Sequence, residues 1–395
     1  MQFFDRNISF KNPTKVDIVI FDECNSEYVK RVLNSKYRIR VLKMRPFELL
    51  VSYSIIQNFI KGLRKVNLKY ASSYSRGFVY GLAFQMRAVY FEACLIAMSP
   101  KAVITMIDNS NSFHWLSKNS RIFPYIAIQN GNRLSFELVE HDEYYLQHFF
   151  SWGTDESKIY NALGYKVENF YPVGSLIGSL YFNNTFSNKN HIQYDILIVS
   201  TWRGNIGYPV NVVDTMKSMR IMDEILAKYL RENSIKAAII LRSERCSEHW
   251  VMQGIGNEYD YYRSVYGESI NIIEANFTDR TVYPTMQQSR LIISCLSSAL
   301  KEAYGIGKKV LYFNYTGKKE YHCDLDSKCV IEENDYLKVV QVIDQLLNQP
   351  DDEYRAIHLE NINAVMCYPD GASTCDVIQS TIDEIIDRHA PQIMT

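Results

Sequence analysis

Short apolar runs alternate with amphipathic stretches along this chain, and the alternation runs through twice. The first pass holds "KVDIVIFD" from Lys15 to Asp22, "YRIRVLKM", "AVITMID" from Ala102 to Asp108, "IAIQ" before an Asn130-Gly131-Asn132 turn, "HFFSWGTDESKIYNALGY" and "FYPVGSLIGSLYF". A polar segment without periodicity, "NNTFSNKNHIQ" from Asn183 to Gln193, then interrupts the pattern. The second pass follows with "YDILIVST", an amphipathic helix from Asp214 to Asn233, "KAAIILRS", "INIIEAN", "LIISC", "KKVLYFN", "KCVIEEN" and "DYLKVVQVIDQLLNQ". Strand and helix in strict alternation predict parallel sheets with helices on both faces. Two passes around a polar linker predict an α/β chain of two doubly wound domains facing across a cleft. The expected division is residues 1–185 and 192–370, with 371–395 a terminal helix packing back towards the first domain. A length of 395 residues is enough for two cores.

Net charge is -1, so no global field recruits nucleic acid. The tyrosine count is 29, with 19 phenylalanines, which supplies hydroxyl-tipped aromatic walls for a sugar or a base and equally for plain packing. None of the eight cysteines forms a CxxC pair, which argues against a zinc ribbon. "MQFFDRNISFKNPTK" lacks a basic region followed by an apolar core, so the expectation is reduced thiols and a cytoplasmic protein. One stretch, Gly77 to Met98, is apolar enough to suggest a membrane span. Arg87 and Glu92 interrupt it and would be costly in lipid, so it is expected to be a buried helix, with peripheral membrane association left open.

In open parallel sheets, ligands sit beyond the carboxyl ends of the strands, so the residues that follow each strand are the candidates. In the first half these are Asp108, Asn109 and Ser110, then Gln129, Asn130, Gly131, Asn132 and Arg133. In the second half they are Ser200, Thr201, Trp202 and Arg203, then Arg242, Ser243, Glu244 and Arg245, then Ser294, Cys295, Ser297 and Ser298. Amides at a helix start are unpaired and carry partial positive charge. Ser297 and Ser298 beside such a start suit a phosphate, and the arginines suit a phosphate or carboxylate. The competing role for Ser297 is a simple N-cap.

Asp108 ends a strongly apolar strand and opens the polar loop "NSNS", a position for a nucleophile or general base; an Asx turn is the structural alternative. Glu258, Glu274 and Asp279 are expected at the surface or as caps, and His114 as a packed helix residue. "GIGKK" runs helix, glycines, strand, the reverse of a P-loop, so Gly305 and Gly307 are expected to end a helix. Asp324 and Asp326 in "CDLDSK" have the spacing of a metal-diphosphate motif but the composition of a solvated turn.

The order "STWR … RSER … SCLSSALKEAYGIGKKVLYF" resembles the nucleotide-binding half of GT-B glycosyltransferases, whose two Rossmann-like domains clasp an activated sugar. "MIDNSNSFHW", "IAIQNGNR", "FSWGTDESKIY", "GYKVENFYPVGS" and "YDILIVSTWR" resemble more particularly the bacterial capsule and lipopolysaccharide transferases related to the retaining β-Kdo transferases. The resemblance spans about Ala102 to Phe313. It implies a CMP-linked donor carrying Kdo or a nonulosonic acid, no cofactor and no required metal, and a glycan or glycolipid acceptor. The implied sites are a catalytic Asp108 with Asn109, acceptor-side Gln129, Asn130 and Arg133, and donor contacts at Ser200, Thr201, Trp202, Arg203, Arg242, Ser243, Arg245, Ser294, Ser297, Ser298 and Lys301. Three rival readings remain: a nucleotide-sugar epimerase or hydrolase of the same fold, a polyol-phosphate polymerase, whose paired histidine motifs are not seen, and a non-catalytic binding subunit.

Overall fold

The computed structural model describes residues 8–44, 48–73, 77–133, 144–182, 192–202, 210–242, 258–276, 278–295, 297–318, 321 and 323–389. The chain divides into two units. The first comprises Met1–Asn130, Glu137–Ile177 and Pro369–Thr395; the second comprises Gly131–Phe136 and Gly178–Tyr368. Residues 183–191 of the expected linker lie outside the described residues.

The strands in chain order are β1 (Ile8–Ser9), β2 (Ile18–Phe21), β3 (Ile39–Leu42), β4 (Leu49–Leu50), β5 (Ala102–Thr105), β6 (Tyr125–Ile128), β7 (Tyr145–Ser151) and β8 (Lys166–Pro172). They continue with β9 (Tyr194–Val199), β10 (Ala237–Ile240), β11 (Asn271–Ile273), β12 (Ser289–Ser294), β13 (Lys309–Phe313) and β14 (Val330–Ile331). In the first unit six strands form one sheet in the order β3-β2-β5-β6-β7-β8, and β1 pairs with β4 apart from it. The second unit holds a sheet in the order β11-β10-β9-β12-β13-β14. Every pairing is parallel. β2, β5, β6, β10 and β13 are buried at every residue, because helices on both faces leave no solvent side and apolar runs replace alternation.

Chain order reverses direction between β2 and β5 in the first sheet and between β9 and β12 in the second. Such a switch point opens a crevice at the carboxyl ends, because the two connecting helices depart to opposite faces.

The helix Phe78–Met98 is a core helix over its second half, where Glu92 is 2% exposed and its carboxylate meets the Lys65 ammonium at 2.6 Å. The terminal helix Thr374–His389 belongs to the first unit. Thr374 donates to the Val173 carbonyl at 2.9 Å, Asp383 pairs with Lys36 at 2.6 Å, and the His389 ring meets the Ile122 carbonyl at 3.1 Å.

Candidate functional site

At the switch point of the second sheet, the chain leaves β9 through Ser200, Thr201 and Trp202 and leaves β12 through Ser294 to Ser298. Strand pairing sets Ser294 beside Val199. The Ser294 hydroxyl donates to the Val199 carbonyl at 2.7 Å and is fully buried, so this serine ties the two central strands together where their ladder ends. Cys295 is buried too. Burial pushes its thiol up to about 12, which removes it as a nucleophile at neutral pH.

Ser297 stands at the N-cap position of the helix Ser298–Gly305, with extended backbone (φ -93, ψ 129) and no side-chain cap bond. The N-cap role is therefore unfilled, and the hydroxyl stands beside first-turn amides that carry partial positive charge. The Ser298 Oγ accepts the Asn132 amide at 3.0 Å. Gly131 lies against the same hydroxyl: a Cβ there would sit 3.4 Å from the Ser298 Oγ, an ordinary van der Waals contact. The other end of the helix closes as expected from "GIGKK". The Lys308 amide reaches the Ala303 carbonyl at 3.1 Å, the Gly307 amide reaches Tyr304 at 2.8 Å, and Gly307 takes φ +74. This is a Schellman termination, which needs a left-handed residue at that point.

The loops after β9 and β10 are held by Glu258, a residue expected at the surface or as a cap. It is 6% exposed and begins the helix Glu258–Tyr266. Its Oε1 accepts the Ser200 hydroxyl and, at 2.9 Å, the Arg242 amide. Ser200 Oγ in turn accepts the Tyr262 hydroxyl at 2.8 Å and the Trp202 amide at 3.1 Å. Arg242 Nη1 donates to the Trp202 carbonyl at 3.2 Å. One carboxylate thus fixes both strand ends, a buried network in which every bond supports the next. The signal was present in "EYDYYRSVY": Glu258, Tyr262 and Tyr266 recur at every fourth residue, the spacing of one buried helix face.

Trp202 is 2% exposed and stacks on Tyr261 at 4.4 Å and 28°, so its ring is packing for this crevice and does not offer a free face. Behind the stack lies Asp223. It is buried and accepts the hydroxyls of Tyr261 and Tyr266 at 2.8 Å each. Burial pushes its carboxyl up to about 7, with the two tyrosine bonds opposing the shift. Lys301 is turned inward and pairs with Asp324 at 3.1 Å. Asp326 accepts the Lys328 amide at 2.9 Å and lies 3.3 Å from His358 Nδ1. Both acids of "CDLDSK" therefore have protein partners. Thr201 is different: its Oγ1 is buried and has no hydrogen-bond partner among the described residues. Buried hydroxyls usually have a partner, so at a strand end this one is a candidate contact for a ligand or water. Arg203, Ser243 and Arg245 lie outside the described residues.

In the first unit, Asp108 follows β5 and is fully buried. Its Oδ1 accepts the Asn130 amide at 3.3 Å, which joins the loop after β5 to the loop after β6. Asn109 is half-buried in the same turn. Gln129 is spent on the fold: its Nε2 donates to Glu156 at 2.9 Å and its Oε1 accepts the Trp152 amide at 2.8 Å. Arg133 is half-buried and groups with the second unit. His114 is packed as expected, with Nδ1 at 3.3 Å from the Tyr145 carbonyl and its ring 4.0 Å from Tyr144. Asp22 follows β2 at the same switch point, in a left-handed conformation (φ 81), and accepts the Cys24 amide at 3.0 Å.

No protein-family model matches the chain, and no curated protein matches it. Among solved structures it is similar to a UDP-N-acetylglucosamine 2-epimerase from Rickettsia bellii, at 15% identity and a TM-score of 0.52, over 95% of this chain and 98% of that one. It is also similar to the wall teichoic acid polymerase TagF, at 13% identity and a TM-score of 0.47, over 96% and 90%. A third likeness is to the trehalose-6-phosphate synthase OtsA, at 10% identity and a TM-score of 0.47, over 94% and 99%. The full-length match to the epimerase structure, with the order of the two sheets, establishes an α/β chain of two Rossmann-like domains, the GT-B fold.

Proposed function

We propose that this chain is a nucleotide-sugar enzyme that transfers a sugar to a glycan or glycolipid acceptor, with its donor held at the switch point of the second sheet. One observation carries the assignment: at the ends of β9 and β12, Thr201 Oγ1 is buried without a partner among the described residues, and Ser297 makes no side-chain cap bond at the start of the helix Ser298–Gly305. Two hydroxyls and a set of helix-start amides suit an oxyanion, and the partial charge at a helix start adds about half a unit of positive charge. Arg242, held by its amide on Glu258 and by Nη1 on the Trp202 carbonyl, would supply the full positive charge from the end of the neighbouring strand β10.

The finer assignment is a CMP-linked 3-deoxy-ulosonic acid such as Kdo. That donor brings one phosphate and one sugar carboxylate, two anions that match a helix start and an arginine without a diphosphate clamp. In the proposed chemistry the anomeric carbon–oxygen bond to phosphate breaks and CMP leaves, its charge stabilised by the serine-lined helix start. Asp108 bonds to the anomeric carbon as CMP departs; the acceptor hydroxyl then displaces the ester, losing its proton to solvent and releasing Asp108 as a carboxylate, with net retention. The mechanism requires Asp108 to shed the Asn130 amide when substrate binds, since its resting carboxylate is enclosed.

The test is a thermal-shift series with CMP, CDP, UDP and GDP. A nucleotide held only by the native state raises apparent stability by about 2.7 kcal/mol at a hundredfold excess over Kd. CMP should give the largest shift. A UDP or GDP winner overturns the donor while keeping the donor site, and no shift with any nucleotide overturns the function. One second reading has an observation behind it, since the structure matched at 0.52 is named a UDP-N-acetylglucosamine 2-epimerase. Under that reading UDP gives the largest shift, and the sugar nucleotide is converted without an acceptor.

A further inference from the structure

Between Glu48 and Glu92 lie forty-three residues without one aspartate or glutamate. The chain carries 44 acids in 395 residues, which would place about five in such a window. The same window holds six basic residues, from Lys61 to Arg87. It is also where the surface turns apolar. Of the sixteen large hydrophobic side chains exposed among the described residues, eight fall here. Tyr53, Ile56, Ile60 and Leu63 recur at spacings of three and four along the helix Tyr53–Gly62 and its continuation, so they form one stripe, and they are 75%, 47%, 62% and 36% exposed. Leu68 (60%) and Val79 (79%) extend the apolar surface on the next two helices, Leu68–Ser73 and Phe78–Met98.

These helices form one packed layer. Gly62 sits so close to the helix Phe78–Met98 that a Cβ there would meet Val89 Cγ1 at 2.7 Å. The Gln85 side chain accepts the Asn67 amide at 2.8 Å. The layer's inner side is therefore in the core, and its apolar outer residues are what remains. Lys61, Arg64, Lys69 and Arg87 are exposed on the same helices and turns.

We propose that this layer is a docking surface for an anionic lipid bilayer. A stripe of exposed aliphatic and aromatic side chains is what an interfacial helix presents to the acyl boundary, and flanking lysines and arginines meet the anionic headgroups. Charge also decides against a second copy of this chain: two such faces would bring like charges together with no acid in either window to relieve them. Binding here is interfacial, since the second half of the helix Phe78–Met98 is committed to the core. The surface lies wholly in the first unit and is independent of the donor site, so the failure of either assignment leaves the other standing.

The test is co-sedimentation of the full chain with vesicles of three parts phosphatidylcholine to one part phosphatidylglycerol, against phosphatidylcholine alone. Binding to the mixed vesicles, weakened by added salt and absent on the neutral ones, is the expected result. The triple variant Lys61→Glu, Arg64→Glu, Lys69→Glu should lower the bound fraction by about tenfold or more. Ile56→Ser with Ile60→Ser should lower it at low salt as well. Leu337→Ser, which removes an equally exposed leucine from the second unit (76%), should change nothing. Lys61→Arg with Lys69→Arg keeps the charge and should bind fully, which separates lost charge from a damaged fold. Failure of the wild-type chain to sediment with mixed vesicles overturns the proposal, as does binding that survives both patch variants. So does a concentration-dependent dimer in light scattering that Ile60→Ser dissolves, which would assign the face to a second copy.

Discussion

The two sheets are wound alike around a reversal point, yet their central strands deliver opposite chemistry there. In the first unit β2 ends in Asp22 and β5 leads to Asp108, and both carboxylates are buried and accept backbone amides. In the second unit the corresponding strands β9 and β12 lead to hydroxyls, an arginine lies after β10, and one hydroxyl, on Thr201, is left without a partner among the described residues. An edge lined with carboxylates repels a phosphate, whereas hydroxyls, amides and a guanidinium attract one. Topology alone gives either crevice the form of a ligand site; the side chains are the reason the proposed donor site is assigned to the second. The difference also shows how each unit spends its polar groups. The first uses Asp22 and Asp108 to hold loops, and the second uses Glu258, a residue of a later helix, for that task.

The largest effect should separate holding from chemistry in the first unit. Asp108→Asn keeps an oxygen that can accept the Asn130 amide, so melting temperature should change little. If the carboxylate forms the covalent intermediate, turnover in a steady-state assay should fall about a thousandfold or more with nucleotide affinity unchanged. Turnover near wild type would leave Asp108 a loop holder like Asp22 and erase that contrast.

Next comes Glu258→Ala, which strands the Ser200 hydroxyl and the Arg242 amide together in a buried site. A loss of about 2–4 kcal/mol in urea unfolding is expected, with weaker nucleotide binding by thermal shift. Unchanged stability would mean the network does not anchor the second unit.

Asp223 gives the pH signature of that unit. Its folded carboxyl is raised to about 7 by burial, against an ordinary value of 3.8. Native protein therefore keeps a proton that the unfolded chain releases, and stability must fall as pH rises from about 4 to about 7. The contribution is full below that window and gone above it, with up to about 4 kcal/mol as the upper bound. Melting temperature measured against pH should show the slope, and Asp223→Asn should flatten it. A slope of the opposite sign that survives the substitution would rule Asp223 out as its source.

The smallest effect is the sharpest about ligand binding. Thr201→Val conserves shape and deletes a hydroxyl that has no hydrogen-bond partner among the described residues. Stability should hold or rise by about 1 kcal/mol while nucleotide affinity falls about tenfold. Equal losses in both would show that the hydroxyl serves the fold.

Much of the fold could be read from the chain because its signals are local. Periodicity located the strands from "DIVIFD" to "KKVLYF", since a strand buried on both faces must be apolar throughout. The glycines of "GIGKK" announced a helix end because only a left-handed residue completes it. The site was legible as a set of positions and less so as roles. Ser294, Trp202 and Lys301 follow strands or begin helices as the candidates should, but each is turned inward to Val199, Tyr261 and Asp324. The burial of Glu258 is not legible in the chain, because it depends on what packs against a helix start, and nothing near it in sequence records that Ser200 and Arg242 both arrive there.

By itself, then, the sequence determined the order and direction of the elements, their parallel pairing and the places where polar residues leave the strands. These follow from hydrophobic period and turn chemistry within a few residues. Only the tertiary structure decided which of those polar groups are satisfied. A hydrogen bond depends on distance between residues tens of positions apart, such as Ser200 and Glu258, and the chain fixes that distance only once it has folded.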